Sequence, residues 1–206
     1  MFQALLPTSK DEAPVGAASR RVVYALILGT IPSVIFGLIL EGPMETIFRD
    51  PELVALALIA GSVLFLAAEW IFSLYASRGL ARTEMTVSQG FTIGFFQALA
   101  LIPGVSRSGA TISGGLILGL TRVEAARFGF LLSIPVIAGS GIKKLLELGL
   151  DGMLVAIGIP LLIGAIVAGV SGFFAIRFML AFLKENSLVH FVVYRIVLAA
   201  LVLWLL

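Results

Sequence analysis

No cysteine occurs among the 206 residues. That excludes disulfides, thiol catalysis and cysteine-ligated metals. Histidine is nearly as scarce, with His190 the sole example, and charged residues make up only 13% of the chain. The few acids are not arranged for catalysis within an apolar span: no pair stands at metal-ligand or acid/base spacing there. Asp11 and Glu12 share a polar loop, and Glu41, Glu45, Asp50 and Glu52 share a solvated connection. The net charge is only +2 and the isoelectric point about 9.2, a slight basic excess in loops and no footprint of nucleic-acid binding. The start of the chain is not read as a cleavable signal, because Met1 to Leu6 is too short for its apolar core and Pro7, Lys10, Asp11 and Glu12 follow at once.

What remains is apolar. Hydrophobic residues account for 60% of the chain and the mean hydropathy is +1.12. Runs of this length and character span bilayers. The expected fold class is all-α, a polytopic helical membrane protein forming a single transmembrane domain over 1–206. Spans are predicted at 22–40, 53–76, 128–142 and 188–206. The long run 152–182, loosened by Pro160, Gly164, Gly169 and Gly172, is either one tilted helix or a helix followed by a bent segment. Residues 41–52, 77–86, 121–127 and 143–151 are expected connections.

Two segments are too short to cross. Residues 87–102 number only 16, and 112–120 are fewer still, against the roughly 20 that a full crossing takes. Between them stands Pro103-Gly104-Val105-Ser106-Arg107-Ser108-Gly109-Ala110-Thr111. This pattern predicts a re-entrant helix-loop-helix with the second helix beginning near Ala110, the kind of interrupted helix on which many transporter sites are built. A guanidinium at membrane depth is a functional-site hypothesis by default.

Glycines let backbone N–H groups converge, hydroxyls donate, and arginine supplies a planar bidentate fork, which together suit a phosphate. A structural arginine tied to carbonyls is the alternative for Arg107. Ser106, Ser108 and Thr111 can cap the following helix and still serve a ligand, since its free N–H groups and positive dipole end face the same anion. Gln97 reads first as helix–helix glue and is placed with the substrate-binding group, behind the loop. Glu69 reads as structural, either snorkelling near the interface or partnered. His190, Tyr194 and Arg195 read as interface anchoring or an internal pair.

Lysine and arginine counts orient the chain. One face collects Lys10, Arg20, Arg21, Arg78, Arg82, Arg122, Arg127, Arg177 and Lys184; the other collects Arg49, Lys143 and Lys144. Nine against three puts the first set in the cytoplasm and the tip of the loop toward the extracytoplasmic side. A faint echo of Ile-Pro followed by glycine, at Ile31-Pro32, Ile134-Pro135 and Ile159-Pro160, is compatible with an inverted repeat.

The stretch from Gln97 to Arg127, above all the nonapeptide and the following Ile112-Ser113-Gly114-Gly115, closely resembles the undecaprenyl-diphosphate phosphatase family of bacterial membrane enzymes, also linked to bacitracin resistance. The likeness continues through Glu124-Ala125-Ala126-Arg127-Phe128, Ser133-Ile134-Pro135 and Tyr194-Arg195. The resemblance implies an inverted-repeat fold with two re-entrant helix pairs in the bacterial plasma (inner) membrane. It implies hydrolysis of undecaprenyl diphosphate to undecaprenyl phosphate and inorganic phosphate, recycling the lipid carrier for cell-wall synthesis. Carried over by position, Arg107 and Ser106 are catalytic, and Gly104, Ser108, Thr111 and Gln97 bind substrate.

The resemblance also implies a divalent cation, Mg2+ or Ca2+, held by glutamates of an N-terminal motif. Leu6-Pro7-Thr8-Ser9 faintly echoes the serine turn of that motif, but no glutamate precedes it and no histidine follows. A chain that starts late is therefore expected, lacking the N-terminal part and catalytically incomplete. The expected partner is a polyprenyl diphosphate lipid, with no nucleic acid; a homodimer is compatible. The competing class is a transporter or lipid-flipping protein with an anion-binding loop. Vanadium-haloperoxidase-like lipid phosphatases also use Ser-Arg, but they need a histidine after that arginine with an acid downstream, and His190 lies too far on.

Overall fold

The computed structural model describes residues 15–45, 47 and 50–206; the Leu6-Pro7-Thr8-Ser9 turn, Lys10, Asp11, Glu12 and Arg49 lie outside the described residues. The described residues form eight helices: α1 (Val15–Ile39), α2 (Glu41–Glu45), α3 (Pro51–Ser77), α4 (Val87–Leu99), α5 (Arg107–Ile117), α6 (Arg122–Leu150), α7 (Leu154–Glu185) and α8 (Val189–Leu205). Four stretches are long and apolar enough to cross a membrane: Arg20–Ile39, Pro51–Ser77, Arg122–Leu150 and Ile157–Glu185. The all-α polytopic expectation holds.

Several boundaries differ from the sequence reading. The expected connections 121–127 and 143–151 are almost wholly helical, as the two ends of α6. Thr121 caps the first end by accepting from the Glu124 N–H. Arg127–Glu124 and Lys144–Glu147 pairs then support those charged turns, as side chains one turn apart do. The run 152–182 resolves into one helix, α7, with Pro160 inside its first turns. Helix α5 begins at Arg107 and not near Ala110, because the Ser106 hydroxyl accepts from the Gly109 N–H and starts the helix three residues earlier.

The short segments form a hairpin. Gln89 of α4 reaches the Leu118 carbonyl at the end of α5, and Phe96 packs on Gly114, so the two helices run antiparallel. At 1.5 Å per residue, the 13 residues of α4 reach about 20 Å against a hydrocarbon core of about 30 Å. The open end is tied by paired backbone bonds: the Arg82 N–H donates to Gly119 O at 2.8 Å and the Thr121 N–H to Arg82 O at 2.9 Å. A capping box, Thr86 with Gln89, starts α4 at that same end.

Small residues let α1 lie against α4 almost backbone to backbone. Ala25, Gly29, Gly90 and Gly94 form the seam, and a Cβ on Gly29 would stand 2.6 Å from the Gly90 carbonyl oxygen. Such stripes replace the hydrophobic driving force that is missing between helices in lipid. Helix α5 sits between α3, α4 and α6, with Ile112 and Leu116 at the centre of the main apolar core. Helix α8 returns antiparallel along α3. Their contact is fixed at one end by Glu69, which accepts two bonds from Arg122 Nε (3.0 and 3.1 Å), one from Arg122 Nη2 (2.6 Å) and one from the Leu188 N–H (2.8 Å).

Candidate functional site

The loop joining α4 to α5 is a run of tight turns, with N–H groups of Ala100, Leu101, Ile102 and Val105 each donating three residues back. Two residues in it hold backbone conformations that L side chains rarely adopt: Gly104 at φ +98° and Ser106 at φ +78°. Ser106 is the one non-glycine with positive φ among the described residues. Strain of this kind costs about 1–3 kcal/mol and persists where surroundings enforce it. At Gly104 glycine is required twice over, since a Cβ would also lie 2.5 Å from the Val54 carbonyl oxygen.

What enforces the loop is Arg195 on α8. Its Nη2 donates to Gly104 O at 2.8 Å and to Leu58 O at 3.0 Å, and its Nε donates to Ser62 Oγ at 3.1 Å. The guanidinium lies 4.8 Å from the centre of the Phe65 ring, a further stabilising contact for a cation. Gly61 makes room for it: a side chain there would strike Arg195 and come within 2.7 Å of Val105 O. Arg195 is buried and fixed by carbonyls, a hydroxyl and an aromatic face rather than by an acid. The sequence reading took it as an anchor or an internal pair and missed its hold on the loop. The available signal was a lone arginine inside an otherwise apolar span.

Arg107 has the opposite setting. It is the first residue of α5, it is exposed, and among the described residues no hydrogen bond or ion pair holds its guanidinium. The sealed, carbonyl-satisfied arginine that the alternative reading required is Arg195 and not Arg107. Ser106 and Ser108 flank Arg107 and line a cavity of about 380 Å³ together with Arg195, whereas Arg107 itself is not among the residues that line it. The first N–H groups of α5 have no carbonyl of their own helix to reach, and the positive end of its dipole lies at the same place.

The remaining sequence-selected residues are elsewhere. Thr111 is fully buried against Gly129, and its hydroxyl donates back to the Arg107 and Ser108 carbonyls at 3.0 and 3.1 Å. Gln97 is buried, with Nε2 donating to Ser33 Oγ at 3.0 Å across the α1–α4 seam and Oε1 left without a partner. Neither lines the cavity. Gly104 shapes the loop. His190 is exposed and bonds only its own turn.

The chain that carries this strained, hydroxyl-bearing loop matches a defined group of sequences. The profile described as "Bacitracin resistance protein BacA" covers residues 1–201. The chain belongs to that family. Relatives named undecaprenyl-diphosphatase include one from Moorella thermoacetica, 42% identical over 88% of this chain and 67% of its own length. Another, from Mycolicibacterium smegmatis, is 45% identical over 92% of this chain and 68% of its own. A third, from Pelobacter propionicus, is 39% identical over 87% and 64% respectively. The chain thus spans about two thirds of the length of these relatives.

Proposed function

We propose that this BacA-family chain binds the diphosphate head of a polyprenyl lipid at the Ser106–Arg107–Ser108 loop, in the reaction that converts undecaprenyl diphosphate to undecaprenyl phosphate and inorganic phosphate. The observation that carries the reading is the unpaired, exposed Arg107 between two serines that face a cavity, at the N-terminus of α5.

In this reading the Arg107 fork and the free N–H groups of α5 neutralise charge on the phosphoryl oxygens, which grows as the bridging P–O bond breaks. A water attacks the terminal phosphorus in line and the lipid monophosphate departs with the bridging oxygen, giving inorganic phosphate directly. If the Ser106 hydroxyl attacks instead, a water must then hydrolyse the phosphoserine to release that phosphate. No carboxylate or imidazole among the described residues lines the cavity, so proton removal from the attacking oxygen has to come from outside them. The same holds for a divalent cation, Mg2+ or Ca2+: the described acids and histidine do not gather into a group able to hold one. Membership of the family supports the bacterial plasma membrane, and the lysine and arginine bias supports a loop turned toward the extracytoplasmic side. A transporter or lipid-flipping role has no observation in its favour.

The test is inorganic phosphate release from undecaprenyl diphosphate by the purified chain, with binding of the same lipid measured in parallel. Parent protein is expected to bind, and Arg107→Lys to lose most of that affinity because an ammonium lacks the bidentate fork. Equal binding by Arg107→Lys and Arg107→Ala to that of the parent removes the loop from the substrate.

A further inference from the structure

We propose that the outward face of α7 holds one anionic glycerophospholipid, its phosphate between Arg177 and Lys184 and one acyl chain in the furrow from Ala165 to Phe174. This surface is turned away from the cavity walls Ile176 and Met179 on the same helix. It does not rest on the diphosphate reading of the serine loop.

The length of α7 sets the height of its cations. Residues 157–176 number 20 and carry no charge; at 1.5 Å per residue they cover about 30 Å, the thickness of a hydrocarbon core. Arg177 is the first charge after that run, and Lys184 follows seven residues later. Both are exposed, and among the described residues neither side chain has a hydrogen bond or ion pair. Long cationic side chains at the edge of hydrocarbon extend their heads to the level of the lipid phosphates. Two of them on one face set a preference for a head group of net negative charge. The nearest acid in sequence, Glu185, points more than a quarter of a turn away from Lys184.

An apolar furrow leads straight to these cations. Ala165 and Gly169 form its floor and Ile166, Val170, Phe173 and Phe174 its sides, around a space of about 420 Å³. A Cβ on Gly169 would meet nothing within 4 Å, so no protein atom fills it. At 3.6 residues per turn, Ile166, Val170, Phe173, Arg177 and Lys184 fall in one stripe roughly 60° wide. From Ile166 to Arg177 the helix rises about 16 Å, the depth of one leaflet of a core ~30 Å thick. A phosphate held at Arg177 therefore lays an acyl chain along the whole furrow. A second copy packed on this face would bring Arg177 and Lys184 against their own counterparts, and like charges repel.

The test measures lipid retention by the purified full chain in native mass spectrometry, with phosphatidylglycerol and phosphatidylcholine of identical acyl chains. One phosphatidylglycerol per chain is expected, held at least about tenfold more tightly than phosphatidylcholine. Arg177→Gln and Lys184→Gln should each weaken it about fivefold, the usual share of one cation at an anionic lipid surface. Gly169→Leu should weaken it with no change of charge, because the added side chain occupies the furrow. A phosphatidylglycerol with a diazirine midway along one acyl chain should label peptides within 165–174. Undecaprenyl diphosphate binding should stay at the parent level in all three variants. Each substitution is at an exposed position, and circular dichroism identifies any that fails to fold, leaving the others to carry the measurement.

Equal affinity for the two lipids, parent-like retention in both cation variants, or labelling confined to other helices overturns the proposal. So does a dimer cross-linked through α7 that retains no lipid, which gives the face to a second copy. Loss of undecaprenyl diphosphate binding in step with phosphatidylglycerol would make the two sites one, and overturns it as well.

Discussion

Arg195 and Gly104, 91 residues apart in sequence, are joined by a 2.8 Å hydrogen bond from Nη2 to the glycine carbonyl. The bond ties the last helix to the crown of the α4–α5 hairpin. Three acceptors, Gly104 O, Leu58 O and Ser62 Oγ, are served by one planar group. An ammonium is a point charge and cannot span all three. Arg195→Lys is therefore expected to cost about 1–3 kcal/mol, read as a lower apparent melting temperature in detergent, and to weaken lipid diphosphate binding. An unchanged melting temperature would show that the loop does not depend on this contact.

Ser106 combines a strained backbone with a capping hydroxyl, and the two can be separated. Ser106→Ala keeps the positive φ and loses the bond from the Gly109 N–H. Ser106→Gly loses the same bond but relaxes the backbone. The glycine variant should be the more stable of the two by about 1 kcal/mol, even though both lose the hydroxyl. The reverse order in thermal unfolding contradicts the strain.

Gly104 is expected to tolerate no side chain. Gly104→Ala brings a methyl to 2.5 Å from Val54 O at a φ of +98°, so the loop must shift, at about 1–3 kcal/mol. The predicted result is weakened lipid diphosphate binding in a chain that remains helical by circular dichroism. Parent-like binding would mean that the loop can rebuild itself without loss.

Glu69 is a structural test of a different kind. It receives Arg122 from the start of α6 and the Leu188 N–H from the start of α8, and Arg122 also lies 4.9 Å from the Phe72 ring centre. Glu69→Gln retains an acceptor for Leu188 but loses the charge that holds Arg122, which is itself part-exposed. A loss of about 1–2 kcal/mol is expected. In a double-mutant cycle with Arg122→Gln the two losses should fall short of adding. Strict additivity would deny the coupling.

The hairpin was legible because its signals are local. Two apolar segments below spanning length, separated by Pro103 and Gly104 and a run of hydroxyls, admit few other geometries in a bilayer. Glu69 was legible in part: a carboxylate inside an apolar run either reaches for the interface or needs a partner, and only the structure supplies Arg122 and the Leu188 N–H. The hold of Arg195 on the loop was not, because it depends on α8 lying antiparallel on α3 at a spacing that Gly61 and Ser62 allow, and no local pattern states that. Thr111 carries the same hydroxyl chemistry as Ser106 and Ser108, but lies one turn further on and faces Gly129. Helix phase, and not residue type, decides which of the three meets the cavity.

The α4–α5 hairpin is fastened at its foot by the Arg82 pairing with Gly119 and Thr121, and hooked at its head by a side chain from α8. An arm clamped at both ends cannot swing aside as a flap. On the proposed reading, a ligand of the serines has to come and go without that arm moving aside.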